Sequence, residues 1–211
     1  MVGQAALAGC LADPRVTQVT IVVRKPLGRT HPKLTEVICL NLFKLMRVRD
    51  QLGQPDACLF CAGVSSVGMS EAAYRRETFE MTLAVARELY SLNPNMHFLY
   101  VSGVGTDSTE KGSSMWARVK GATENSLIKQ GFAGVALFRP GFIQPLDGVK
   151  SKTGWYNAIY AIAAPIYPLL KRLFPKQVTD TVTLGRAMIA AVQPNMPTAI
   201  YEPADINRLG A

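Results

Sequence analysis

The sequence predicts an α/β chain built on a parallel sheet with helices on both faces. Three observations carry this: short apolar runs rich in β-branched residues, helix-length periodic segments between them, and turn-forming residues at the junctions. Strands separated by segments of that length need crossover connections, which give parallel neighbours. With 211 residues, 48% hydrophobic and 18% charged, the chain can bury the core of a single domain spanning 1–211.

The elements follow in order. Val2 to Ala12 is rich in Ala and Leu and reads as a helix. Val16 to Val23, bounded by Asp13-Pro14 and Arg24-Lys25-Pro26, is a β-branched run expected to be a buried strand. Thr35 to Leu40 is a second strand, Phe43 to Leu52 an amphipathic helix, and Ala57 to Ala62 a third strand ending at Gly63. Ser70-Glu71 opens a long helix that runs to Leu92 and stops before Asn93-Pro94. His97 to Val101 is a strand, Ser114 to Gln130 a helix, and Gly134 to Phe138 a strand that leads into Arg139-Pro140-Gly141.

Composition excludes some functions. Cys10, Cys39, Cys58 and Cys61 lie in apolar stretches, so reduced thiols in a cytoplasmic setting are expected, with no metal site. Cys58 and Cys61 match C-x-x-C, but a redox pair belongs at a helix start and these sit in a strand. The net charge of +8 is dispersed, without aromatic interleaving or zinc spacing, so a nucleotide phosphate is the expected anion and nucleic acid is not a partner. Trp155 to Phe174 is apolar up to Lys171-Arg172 but is broken by Pro165 and Pro168. It reads as a substrate-side helix or lid within 142–198, with membrane-surface contact through 155–174 as the lesser reading. The sequence leaves oligomeric state open.

Four landmarks stand in order: a small-residue helix start at Gly3, a strand ending in Arg24, a strand ending in Cys61-Ala62-Gly63, and Ser102 followed by Trp116-Ala-Arg-Val-Lys120. Together with Arg139-Pro140-Gly141 they make the chain resemble the atypical or extended short-chain dehydrogenase/reductases of the NAD(P)-dependent epimerase/dehydratase type. That likeness implies a Rossmann-like doubly wound fold and a nicotinamide dinucleotide cofactor. The family opens with a strand and a glycine-rich G-x-x-G-x-x-G turn that receives the pyrophosphate. By resemblance Gly3 matches the third glycine, so the family's first strand and first two glycines are expected to be missing ahead of Met1.

The resemblance also implies roles. Arg24 stands where an acidic residue would bind the ribose of NAD, which favours NADP, with NAD as the alternative; a solvated strand-end arginine is the plainer reading. Ala62, Gly63, Arg139, Pro140 and Gly141 would border the cofactor. Ser102 would hydrogen-bond the substrate oxygen, and Lys120 would hold the nicotinamide ribose; both are the expected catalytic residues. The family's Tyr-x-x-x-Lys has Trp at its first position here, and an indole cannot pass a proton to a substrate. Tyr100 or Tyr156 would be substitutes. Two functions follow: an oxidoreductase or epimerase of an unidentified small-molecule substrate, or a non-catalytic NADP(H)-binding sensor or partner protein.

Overall fold

The computed structural model describes residues 1–146 and 178–211. Helix α1 (Val2–Ala12) precedes strands β1 (Val19–Val23) and β2 (Leu34–Ile38). A 3₁₀ helix (Leu42–Gln51) leads to β3 (Ala57–Phe60). Helix α2 (Glu71–Arg75), a π-turn (Arg76–Glu80) and α3 (Met81–Leu92) follow without a break. Then come β4 (His97–Val101), α4 (Met115–Lys129), β5 (Gly134–Phe138) and β6 (Phe142–Gln144). After the undescribed segment the chain forms β7 (Val178–Asp180), α5 (Thr181–Ala191), β8 (Ala199–Tyr201) and α6 (Pro203–Leu209).

Every ladder among the described residues is parallel. The central sheet runs β3-β4-β5-β8, with Phe98 opposite Cys58 on one side and Val135 on the other. Strands β1 and β2 form their own ladder, as do β6 and β7. Among the described residues no ladder joins β1 to β3, so β1 is laddered on its β2 side alone and β3 on its β4 side alone.

Alternation along the strands produces two cores, because successive side chains in a strand point to opposite faces. Phe98 and Tyr100 on β4, with Val135 and Leu137 on β5, pack under the 3₁₀ helix, α3 and α4 beside Leu45, Leu83, Leu89 and Leu127. Leu99, Ala136 and Phe138 pack on the other face beside Ala6 of α1, Leu184 and Met188 of α5 and Ile206 of α6. The α/β architecture with helices on both faces is therefore as the sequence predicts.

Several bounds differ from expectation. The first strand begins at Val19 rather than Val16, because the Asp13 carboxylate accepts the Arg15 amide at 2.8 Å and Val16 bonds back to Asp13, closing a turn. The segment expected as an α-helix from Phe43 is a 3₁₀ helix: Asn41 caps it through the Phe43 amide, and Lys44 leaves helical geometry at φ −115 and ψ 30. Strand β2 stops at Ile38 rather than Leu40, and β3 at Phe60 rather than Ala62, where their ladders end. Trp155 to Phe174 and Tyr156 lie outside the described residues. No helix among the described residues is long and apolar enough to cross a membrane.

Candidate functional site

The carboxyl ends of β4 and β5 and the first two turns of α4 meet at one place. There the Ser102 amide donates to the Phe138 carbonyl at 2.8 Å, and the Val104 amide to the Pro140 carbonyl at 2.9 Å, so the two strand ends leave the sheet side by side. The loop from Gly103 to Ser114 then folds back over α4. Its closest approach is at Gly121, where a Cβ would stand 1.8 Å from the Asp107 carbonyl oxygen; no other residue fits beneath that backbone. Asp107 shapes the loop by accepting the Thr109 amide at 2.9 Å and the Gly112 amide at 2.6 Å. Asn125 pins it from the helix through the Ser108 carbonyl at 2.9 Å and Glu110 at 2.8 Å.

Trp116 and Lys120, one turn apart on α4, both lie against this loop. The indole rests on Gly105, which adopts φ +85, with a ring carbon 3.6 Å from where its Cβ would be. The Lys120 Nζ donates to the Ser102 carbonyl oxygen. It stands 3.8 Å from the position of a Gly103 Cβ. Loss of hydration at this half-buried place lowers the ammonium to about 8, and the Glu124 carboxylate one turn further along acts in the opposite sense.

The Ser102 hydroxyl points inward. It donates to the Glu124 Oε1 at 2.5 Å and lies 3.2 Å from the Phe138 carbonyl, and the residue is 6% exposed. Glu124, 1% exposed, also takes the Arg139 guanidinium: Nε at 3.1 Å and a second, closer contact through the terminal nitrogen. Arg139 reaches Ser108 at 2.6 Å and Glu202 at 3.4 Å as well. Its amide donates to Tyr201, so the whole residue is absorbed in joining β5, β8 and α4.

The other expected residues lie along the carboxyl edge. Gly3, in the first turn of α1, would place a Cβ 3.4 Å from that of Cys61, which brings the helix start onto the end of β3. Ala62 and Gly63 are exposed there, with open space over Gly63. Arg24 and Lys25 are exposed beyond β1 and form no ion pair among the described residues. The structure thus gathers Ser102, Trp116, Lys120, Arg139 and Pro140 into one cluster and leaves Gly3, Ala62, Gly63 and Arg24 on the β1 and β3 side. Tyr100 is not in the cleft. It is 2% exposed in the core under α3 and α4, and burial raises its phenol well above the ordinary value.

Sequence reasoning missed Glu124. A signal was present: Ala117, Gly121 and Glu124 fall on one helical face, so a carboxylate stands in a stripe of small buried residues. It also missed a cavity of about 370 Å³ past β2, lined by Ile38, Leu40, Asn41, Lys44, Arg47 and Val48. All four cysteines are free thiols, and no group of three or more metal-ligating side chains occurs among the described residues. Cys58 and Cys61 are pushed by desolvation up to about 12.

No protein-family model matches the chain, and no curated protein matches its sequence. Solved structures do share its fold. The Bordetella bronchiseptica enzyme WbmH, solved with NAD+, is similar with a TM-score of 0.58 at 17% identity, over 90% of this chain and 67% of its own. A short chain dehydrogenase from Burkholderia cenocepacia in complex with NADP gives a TM-score of 0.64 at 14% identity, over 94% of this chain and 82% of its own. RMD from Pseudomonas aeruginosa, complexed with NADPH, gives 0.61 at 17% identity, over 95% and 71%. At these identities the likeness is one of fold.

Proposed function

We propose that the chain binds a nicotinamide dinucleotide, NADP before NAD, along the carboxyl edge of its sheet, and that it serves an oxidoreductase or epimerase acting on a small-molecule substrate. The observation that carries this is the Lys120 ammonium, drawn out of water at the carboxyl ends of two adjacent parallel strands, the side on which open α/β sheets bind ligands. The similar structures solved with NAD+, NADP and NADPH support the choice of ligand.

The residues present suit such a ligand. Exposed Arg24 and Lys25 offer cations to a 2′-phosphate, and the open space over Gly63 leaves room beside the start of α1 at Gly3. Lys120 would donate to ribose hydroxyls. Ala62, Pro140 and Gly141 would border the ring system, and Arg139 would hold that border in place through Glu124. When bound, the dinucleotide supplies or accepts a hydride. Ser102 acts on Lys120 through its carbonyl, and its hydroxyl must leave Glu124 before it meets a substrate oxygen. Trp116 supplies no exchangeable acid.

Calorimetric titration with NADPH and NADH tests the reading. NADPH should bind more tightly, and Arg24→Ala should bring the two affinities together. Lys120→Ala should weaken binding by about 1.5–3 kcal/mol, the value of a charged hydrogen bond. Equal affinities in the native chain would remove the NADP preference, and normal binding by Lys120→Ala would remove the site.

A further inference from the structure

Glu124 touches both strand ends that form the candidate site. It sits on α4, 1% exposed, accepts the Ser102 hydroxyl from the end of β4 at 2.5 Å, and accepts two nitrogens of Arg139 from the end of β5. Lys120 lies one turn before it on the same helix, with its Nζ on the carbonyl of that same Ser102. A buried carboxylate loses several kcal/mol of hydration, which the fold recovers only if charge and hydrogen bonds return it. Arg139 accounts for the charge. It does not account for placing the carboxylate also against Ser102, within one turn of a second cation.

We propose that Glu124 is the positioning residue of this site: it locks the ends of β4 and β5 to α4, and its carboxylate is the counter-charge toward which the Lys120 ammonium is presented. This deepens the dinucleotide reading and rests on it for the role of Lys120. The titratable groups about Glu124 and Lys120 are few. From α4 there is Glu124, and from the end of β5 there is Arg139, already bonded to Glu124. On the core side Tyr100 of β4 lies near Glu124 and Tyr74 of α2 near Tyr100, both phenols raised by burial and so neutral below pH 10. Desolvation holds Lys120 at about 8, and Glu124 keeps it from falling further. Without that carboxylate the amine would lose its proton near neutrality, and with it a donor to ribose.

The test reads the amine directly. Nζ of Lys120 is titrated by nitrogen-15 NMR in the full-length chain, without ligand. The wild type should show a midpoint near 8, and Glu124→Gln a midpoint lower by about one pH unit, as expected for removing a nearby opposite charge. Glu124→Asp keeps the charge while withdrawing from Ser102, and should leave the midpoint near the wild-type value. An unchanged midpoint in folded Glu124→Gln overturns the proposal. Should that variant not fold, Arg139→Met decides in its place: it frees Glu124 of its other cation and should raise the Lys120 midpoint, and an unchanged midpoint overturns the proposal.

NADPH affinity gives the second readout. In Glu124→Gln it should fall at pH 8 and recover at pH 6, where Lys120 is protonated again. An equal loss at both pH values marks a merely structural role and overturns the proposal. If the wild type binds no NADPH at either pH, the dinucleotide reading fails while the amine titration still decides on Glu124.

Discussion

At the residue scale, the fold takes the ammonium of Lys120 out of water and gives it one carbonyl and one neighbouring carboxylate in return. The exchange is incomplete, as the lowering from 10.5 to about 8 records. A lysine whose folded value is depressed holds fewer protons than the unfolded chain between about 8 and 10.5, so stability rises with pH through that window. Below pH 8 the cost is present in full, at most about 3 kcal/mol. Lys120→Met should therefore be more stable than wild type at pH 7 by about 1–3 kcal/mol, less what the lost bond to Ser102 contributed. Its advantage should vanish by about pH 10. Urea denaturation at the two pH values checks this, and a variant less stable at pH 7 would mean that the hydrogen bond outweighs the desolvation.

At the element scale, β1 and β3 each carry one edge without a ladder among the described residues. In a parallel ladder alternate amides face alternate sides. The Val19 amide donates to Lys33 and the Cys39 amide to Val23, which turns the amides of Thr20 and Val22 away from β2. Hydrogen exchange should show Thr20 and Val22 unprotected beside protected Ile21 and Val23. Equal protection along β1 would mean that this edge is paired in solution.

The same scale shows what is legible in the sequence. Strands β4 and β5 begin and end where read, because Phe98 to Tyr100 and Val135 to Leu137 are apolar on both faces and are buried on both. Strand β7 and helix α5 escape a reading that takes 142–198 whole as substrate-side, and β8 and α6 lie unread beyond it, although the helix caps are written out. Asp180 accepts the Thr183 amide at 2.7 Å, and Glu202 with Asp205 forms a capping box ahead of Pro203. At the site, Trp116 and Lys120 are legible from their spacing, while the inward turn of Ser102 is not. That turn depends on Glu124, twenty-two residues away, and no local pattern encodes a contact of that separation.

At the scale of the whole molecule, the β1-β2 pair and the four-stranded sheet are joined by side-chain packing, Val22 and Val37 beside Phe60, rather than by a shared ladder. Helix α1 spans the division, touching β1 and β3 while its main contact is with α5. Open, half-buried strand edges are templates for pairing with another chain. Exposed Leu40 and Val67, at 77% and 78%, add apolar surface. Light scattering of the 211-residue chain should show mass rising with protein concentration. A constant monomer mass across a hundredfold range, about 1–100 μM, would show the edges to be protected.

The π-turn between α2 and α3 carries a last consequence. In a regular α-helix a step of four residues overshoots a full turn by about 40°, so Tyr74, Thr78 and Thr82 would spiral off a common line. The wider turn at Arg76–Glu80 absorbs that drift, and all three are buried, at 2%, 4% and 1%. The two halves of the helix are therefore out of phase by design of the sequence. Losing one residue between Arg76 and Glu80 would restore ordinary α-helical winding and leave Tyr74 and α3 on their present faces. Adding one to α3 would instead carry Leu83 and Leu89 off the sheet. The segment is a place where the reading frame of the helix, rather than the identity of its side chains, decides which residues the core receives.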